Sequence, residues 1–160
     1  EVDVICGAYP KKTLDYEAMK HCVAKTESYH ELIQASTKYA FNAKSNAKPN
    51  DRGVIEVLDA PTGFMLIRRE VFEKMIEQYP ETKYTNDIKA YSTTEKSADY
   101  YDFFQSRVID GRYLSEDYGF CRLWQNMNGK IHIDLTCRLS HVGQFVYHGD
   151  PAVYFRHKAA

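Results

Sequence analysis

The chain has 160 residues, and its 21 Lys and Arg nearly balance 22 Asp and Glu, which leaves a formal net charge of -1. This length suits one compact domain or a piece of a larger one. The chain lacks the basic surplus that nucleic-acid binding needs, so we expect no nucleic-acid partner. No stretch approaches the roughly eighteen apolar residues of a membrane span and no signal peptide is present, so we expect a soluble, cytoplasmic protein.

The four cysteines are scattered along the chain at Cys6, Cys22, Cys121 and Cys137. Their number and spacing do not suit a disulfide framework, and no Cys-X-X-Cys pair is present. We therefore expect buried, reduced thiols, as in a cytosolic protein.

The first half of the chain predicts alternating strands and helices. Val2, Val4 and Cys6 alternate with Asp3 and Ile5 and indicate a strand that is closed by Gly7 and Pro10. Residues 11–25 are expected to form a helix with Thr13 as its N-cap, and residues 29–41 a second helix. Because the chain starts inside a strand, we expect it to be a fragment or a processed polypeptide.

Residues 42–53 are rich in turn formers and predict an exposed loop. Strands are expected at residues 54–58 and 64–67, joined by a turn over residues 60–63. The following helix is the clearest in the sequence, because Val71, Met75 and Tyr79 share one stripe, and Pro80 is expected to end it.

The second half begins with an irregular segment, residues 81–114, that carries many aromatic side chains. Ser115 is expected to cap a helix that stops at Gly129, and residues 130–135 predict a short strand. Since strands and helices alternate throughout, the expected fold class is α/β, with a mixed sheet and flanking helices.

Glu116 and Asp117 are expected in the first turn of the Ser115 helix. Unpaired backbone N–H groups and the helix dipole favour negative charge there, so both carboxylates could serve only to stabilise the helix. A carboxylate on a rigid helix could also act as a general base that takes a proton from an attacking hydroxyl. The local pattern leaves both interpretations open.

The order of motifs resembles the second half of GT-A-fold, nucleotide-sugar-dependent glycosyltransferases, in particular family 2-like enzymes. Residues 62–72 match the strand that leads into an Arg-Arg helix, and residues 115–124 match the Glu-Asp helix that also holds an Arg. Residues 129–134 match the Gly and short strand that follow, and residues 138–143 contain the His. Residues 3–12 resemble the segment after the metal-binding Asp-X-Asp strand.

The resemblance implies roles for individual residues. Asp117 would be the base of an inverting transfer, and Glu116 would position the acceptor or orient Asp117. His141 would help to hold Mn²⁺ or Mg²⁺ on the diphosphate of the nucleotide-sugar donor. Thr62 and Gly63 would lie at the donor, where Gly63 allows close approach of the backbone to the sugar.

Arg122 is the Arg of the matched helix, and it could either pair with an acidic neighbour or touch phosphate. The chain contains no Asp-X-Asp. We therefore expect residues 1–160 to be the acceptor-side half of the enzyme, with the nucleotide-binding half upstream of residue 1, and this fragment alone could be inactive.

The chain is rich in aromatic residues, with 13 Tyr and 8 Phe. Tyr100 and Tyr101 are the best candidates to stack on a carbohydrate acceptor, whereas Phe103 and Phe104 are expected to be core residues. A non-catalytic carbohydrate-binding or interaction module is therefore the alternative function.

A minor alternative is an Fe(II) oxygenase. His132 and Asp134 form a His-X-Asp unit, which together with a distal His makes a facial triad in such enzymes. The downstream histidines follow within one or two elements, and little chain remains to build a jelly roll around them. His132 and Asp134 are therefore expected to share one face of a strand.

Overall fold

The computed structural model describes residues 2–86 and 100–158, which form an α/β structure. The strands in chain order are β1 (Val4–Gly7), β2 (Pro10–Leu14), β3 (Thr37–Tyr39), β4 (Asn42–Ala43), β5 (Val54–Asp59), β6 (Met65–Ile67), β7 (Lys83–Tyr84), β8 (Tyr100–Tyr101), β9 (Arg107–Ile109), β10 (Arg112–Leu114), β11 (Ile131–Asp134), β12 (Ser140–Val142) and β13 (Val146–His148). The helices are α1 (Tyr16–Val23), α2 (Tyr29–Ala35), α3 (Arg69–Gln78), α4 (Glu116–Asn126) and α5 (Pro151–Lys158).

A five-stranded sheet in the order β4–β5–β11–β1–β6 forms the centre of the molecule. β1 runs parallel to β11, with Val4 opposite Ile131. The other neighbouring strands of this sheet are antiparallel. The sheet is therefore mixed and flanked by helices, which confirms the predicted fold class.

Alternating side chains of β1, β5 and β11 build the core on one face of the sheet. The almost fully buried residues on this face are Val4, Cys6, Ile55, Val57, Ile131 and Ile133. Helix α4 packs across β5, and α3 packs on α4. Val71, Met75 and Phe120 from these two helices complete the core. The core thereby fixes the position of the first turn of α4.

Aromatic side chains from the two helices and from the segment around β8 pack together as an aromatic layer. Its members are Phe72 of α3, Phe120 of α4, and Tyr101, Phe103 and Phe104. Tyr101 stacks on Phe103 with ring centroids 5.6 Å apart, and Phe104 stacks on Phe120 at 4.6 Å. Phe103 also packs against Phe72, at 6.2 Å. Phe103 is buried, as expected of a core residue, whereas Phe104 is 38% exposed, so its predicted place in the core is wrong.

The smaller sheets and remaining helices pack beside the central sheet. β2 pairs with β3, and β12 pairs with β13. Both β12 and β13 also contact β2. Helix α2 contacts α1, α5 and β13. Cys22, Ala35 and Val153 form a second, small core between these helices.

The predicted helix over residues 11–25 is wrong in its first part. Pro10–Leu14 is strand β2, and α1 begins only at Tyr16. Asp15, rather than Thr13, is the N-cap, since its carboxylate accepts hydrogen bonds from the backbone N–H groups of Glu17 and Ala18. The exposed middle of β2 is polar, so hydrophobic periodicity could not reveal it.

The second predicted helix, over residues 29–41, is too long. Helix α2 ends at Ala35, and Thr37–Tyr39 pairs with β2 as strand β3. Thr37 and Tyr39 are both buried and alternate with exposed Lys38, which is the period-two pattern of a strand. The predicted loop over residues 42–53 begins with the two residues of β4.

Helices α3 and α4 agree with the predictions in type and place. Helix α3 ends at Gln78, and Pro80 opens a short 3-10 turn. Helix α4 follows Ser115, whose side chain makes no capping hydrogen bond. After α4, Asn128 rather than Gly129 adopts the left-handed conformation, with φ of 61°.

Of the irregular segment at residues 81–114, residues 87–99 lie outside the described part of the chain. The helices of the described segments are all too short or too polar to traverse a lipid bilayer.

Candidate active site

Glu116 and Asp117 lie in the first turn of α4. The free N–H groups and the dipole of this helix end stabilise negative charge on both carboxylates. Glu116 is exposed, whereas Asp117 is half-buried. Of the two, Asp117 is therefore the carboxylate held against the body of the protein.

Thr62 contacts Asp117 directly. It lies in the loop between β5 and β6, and its hydroxyl donates a hydrogen bond to Oδ1 of Asp117. Within residues 2–86 and 100–158, no group donates a hydrogen bond to Oδ2 of Asp117. The contact fixes the carboxylate through one oxygen and leaves the second oxygen able to accept a proton.

Tyr9 lies beside this pair, just after the end of β1. A Cβ atom added to Gly63 would come within 2.6 Å of the Tyr9 ring, so the ring packs where only a glycine leaves room. Burial raises the pKa of Tyr9 above its ordinary value of 10.0, and the charges of Asp117 and Glu116 raise it further, against a hydrogen bond from the Gly63 backbone. The phenol therefore stays protonated at neutral pH.

His141 packs against Tyr9. Its ring packs against the Tyr9 ring in a T-shaped arrangement, with centroids 5.4 Å apart. Nδ1 of His141 lies 2.8 Å from the carbonyl oxygen of Pro10. Because a carbonyl can only accept, this contact requires a proton on Nδ1, and Nε2 is therefore the ring nitrogen that can offer a lone pair.

The structure thus brings four of the predicted residues together around one that the sequence analysis missed. We call Tyr9, Thr62, Gly63, Asp117 and His141 the Tyr9 cluster. It presents a carboxylate oxygen, a phenol and an imidazole with a free lone pair. These groups can accept a proton, donate a hydrogen bond and contribute a nitrogen ligand to a metal ion.

Arg122 pairs with an acidic neighbour, Asp59, at the end of β5. Its Nη2 lies 2.6 Å from Oδ1 of the fully buried Asp59 carboxylate. The other oxygen of Asp59 accepts a hydrogen bond from Asn42 at 2.7 Å and lies 3.4 Å from Arg112. Of the two interpretations of Arg122 that the sequence left open, the structure shows the pairing with an acidic neighbour. Asp59 itself was not predicted, although an acidic residue at the end of an apolar strand could have indicated it.

Tyr100 and Tyr101 lie on β8 and are half-buried. The Tyr100 ring packs against Tyr84, with centroids 5.6 Å apart, and Tyr101 belongs to the aromatic layer. Their role at an acceptor stays a prediction.

His132 and Asp134 lie on the same half-buried face of β11, as their spacing predicts. Asp134 accepts hydrogen bonds from the backbone N–H and the hydroxyl of Thr136, at 2.8 and 2.6 Å. Nδ1 of His132 lies 3.3 Å from the carbonyl oxygen of Val4. In the part of the chain that the structure describes, no three His, Cys, Asp or Glu side chains are grouped so that they could hold a metal ion by themselves.

All four cysteines are free, and Cys6, Cys22 and Cys121 are buried, as the sequence predicts. Burial raises the pKa of Cys121 to about 11, and burial likewise raises the pKa of Cys6. The Cys121 thiol donates to the carbonyl oxygen of Ala60 at 3.7 Å. Both thiols therefore help to pack the core beside the Tyr9 cluster, in an apolar environment that disfavours the thiolate.

Comparison of the chain with protein-family models, with curated proteins and with solved structures gives no match.

Proposed function

We propose that this chain is the acceptor-side part of a GT-A-like, family 2-like glycosyltransferase. It would transfer a sugar from a nucleotide-diphosphate donor to an acceptor hydroxyl with inversion. The observation that carries the proposal is the Tyr9 cluster, because it unites Thr62, Gly63, Asp117 and His141 from three separate motifs of the resemblance.

In this proposal Asp117 is the general base. Its unpaired Oδ2 accepts the proton of the acceptor hydroxyl while the hydroxyl oxygen forms a bond to the anomeric carbon of the donor sugar. The bond between that carbon and the diphosphate oxygen breaks, and the nucleoside diphosphate leaves with the electron pair. Thr62 keeps the carboxylate oriented, and the exposed Glu116 positions the acceptor.

His141 would act as a metal ligand. Its Nδ1–H is held by the carbonyl of Pro10, an arrangement that orients ligating histidines and leaves Nε2 for the ion. Mn²⁺ or Mg²⁺, when bound, would neutralise charge on the leaving diphosphate. The remaining ligands would come from an Asp-X-Asp outside these 160 residues and from the donor itself.

The remaining predicted residues would serve binding. Thr62 and Gly63 would lie along the donor sugar, although the space left by the missing side chain of Gly63 is filled by the Tyr9 ring and not by the sugar. Tyr100 and Tyr101 would offer ring faces or edges to the carbohydrate acceptor.

The base is tested by the isosteric change Asp117→Asn in the full-length gene product, assayed with a panel of nucleotide sugars and Mn²⁺. We expect the transfer rate to fall by about 10²- to 10⁴-fold, because the amide cannot take the proton. Donor affinity should stay within about twofold. The matched control is Asp110→Asn, since Asp110 lies in the β9–β10 turn with φ of 51°, a conformation that Asn also adopts.

A normal transfer rate in the Asp117→Asn variant would show that Asp117 is not the general base. Saccharide binding without any transfer by the unaltered protein would instead favour the non-catalytic carbohydrate-binding alternative.

The ligand role is tested separately with His141→Ala. We expect the Mn²⁺-dependent part of nucleotide-sugar binding to weaken about tenfold or more, because one nitrogen ligand is lost. Calorimetric titration with and without Mn²⁺ measures this part alone. His148→Ala, which removes an exposed histidine of β13, is the control, and equal weakening in both variants would exclude a specific role for His141.

A further inference from the structure

A cavity, which we call the lysine cavity, lies between β2, α1 and β3 and has a volume of about 750 Å³. Buried Cys22, Ala35, Thr37 and Tyr39 line it together with more exposed polar residues. Its size falls in the range of small-molecule sites. None of the five residues of the Tyr9 cluster lines this cavity, so a ligand bound in it would occupy a site separate from the proposed site of sugar transfer.

The charges around the lysine cavity are unequal. Lys11, Lys25 and Lys38 approach it from three different segments, and the acidic residue that lines it is Asp15. Two of the lysines therefore lack a compensating carboxylate within the lining. Like charges that converge on one concavity repel each other and raise the local concentration of anions.

Asp15 is already engaged and does not neutralise the other lysines. Its Oδ1 accepts the N–H bonds at the start of α1, and its Oδ2 lies 3.3 Å from the Lys38 ammonium. Over residues 2–86 and 100–158, the ion pairs include no carboxylate partner for Lys11 or Lys25. Two ammonium groups are thus left to meet a ligand.

We propose that the lysine cavity binds a small organic anion, a sugar-sized molecule that carries a phosphate or carboxylate group. Lys11 and Lys25 hold the anionic group as point charges. The Phe41 ring and the aliphatic part of the lining cover the uncharged body of the ligand. Phosphate and carboxylate share this chemistry, and the experiment separates them.

The experiment titrates the unaltered chain with glucose 6-phosphate, glucuronate and neutral glucose, with EDTA present so that no metal-dependent binding contributes. Calorimetry gives the affinities, and NMR shifts of the Lys38 and Thr37 amides locate the ligand. We expect one or both charged sugars to bind and glucose not to bind. The charged sugar that binds identifies the preferred group.

The double variant Lys11→Gln/Lys25→Gln should weaken this binding about tenfold or more, because two charge-assisted contacts are lost. Lys12→Gln/Lys20→Gln is the matched control, with one lysine on the same strand and one on α1, neither of which lines the cavity. Its affinity should stay within about twofold. Circular dichroism and the unfolding midpoint verify that both variants are folded.

Three results would overturn the proposal: equal weakening in the control, equal binding of glucose, or no binding of either charged sugar up to about 10 mM. None of these results depends on Asp117 or on transfer. If the lysine cavity does not bind an anion, the proposed glycosyltransferase function is unaffected. If the chain proves not to transfer sugars, the proposed anion site is likewise unaffected.

Discussion

At the scale of single residues, Asp59 organises polar side chains from three elements. It accepts contacts from Asn42 of β4, Arg112 of β10 and Arg122 of α4 while its own side chain is 0% exposed. A buried carboxylate is tolerated only when its oxygens are satisfied in this way. Asp59 thereby ties α4, and so the first turn with Asp117, to the end of β5.

Replacing Arg122 should show how much the stability of the protein depends on its ion pair with Asp59. We expect Arg122→Gln to lower the free energy of unfolding by about 3 kcal/mol, because a buried carboxylate loses its closest cation. Arg69→Gln is the control, since Arg69 is 89% exposed and its helical pair with Glu73 contributes at most about 0.5 kcal/mol. Urea unfolding measures both, and equal losses would show that the Asp59 pair is not the stronger contact.

At the scale of elements, the starts of α1 and α4 differ. Asp15 caps α1 through two backbone hydrogen bonds, whereas Ser115 precedes α4 without a side-chain bond. We therefore expect Asp15→Ala to cost about 1 kcal/mol of stability and Ser115→Ala less than about 0.5 kcal/mol. Chemical denaturation of the two variants side by side tests the difference, and a larger loss for Ser115→Ala would contradict it.

The Asp15 contribution should also depend on pH. The Ala18 N–H bond, followed by Lys38, lowers the pKa of Asp15 below its ordinary value of 3.8. A group with a lowered folded pKa stabilises the fold above its unfolded pKa and loses that effect as pH falls through the folded value. The stability gap between the unaltered chain and Asp15→Ala should therefore be full above pH 3.8 and shrink below it. A gap that stays constant at lower pH would contradict this cause.

Local sequence pattern identified some elements well and missed others for a physical reason. Helix α3 was predictable because Val71 and Met75 repeat on one buried stripe. β2 was not, since its middle residues are polar and exposed, and its pairing with β3 depends on residues more than twenty positions away. Strands at the edge of a fold carry little apolar signal of their own.

At the scale of the whole molecule, burial protects most thiols until the chain unfolds. Cys6, Cys22 and Cys121 are buried, and Cys137 is partly exposed with its pKa raised mainly by burial. We expect a thiol reagent to modify one cysteine in the folded protein, slowly, and all four in denaturant. Cys137→Ser should abolish the reaction of the folded form, and rapid modification of the remaining thiols would show that the core opens.

The candidate site was only partly accessible from sequence. Asp117 and His141 could be singled out because short motifs surround them. Tyr9 could not, because its role depends on Gly63 leaving room for its ring and on the T-shaped contact of its ring with His141. These contacts join distant parts of the chain, and they exist only once the sheet has formed.

The parallel pairing of β1 with β11 also sets the order in which the chain can fold. The antiparallel neighbour β6 follows β1 more closely in the chain, whereas Val4 can pair with Ile131 only after the whole segment between them has been made. At about 5–20 residues per second, a ribosome needs several seconds or more to supply β11. During that interval one side of β1 has no partner strand from the central sheet.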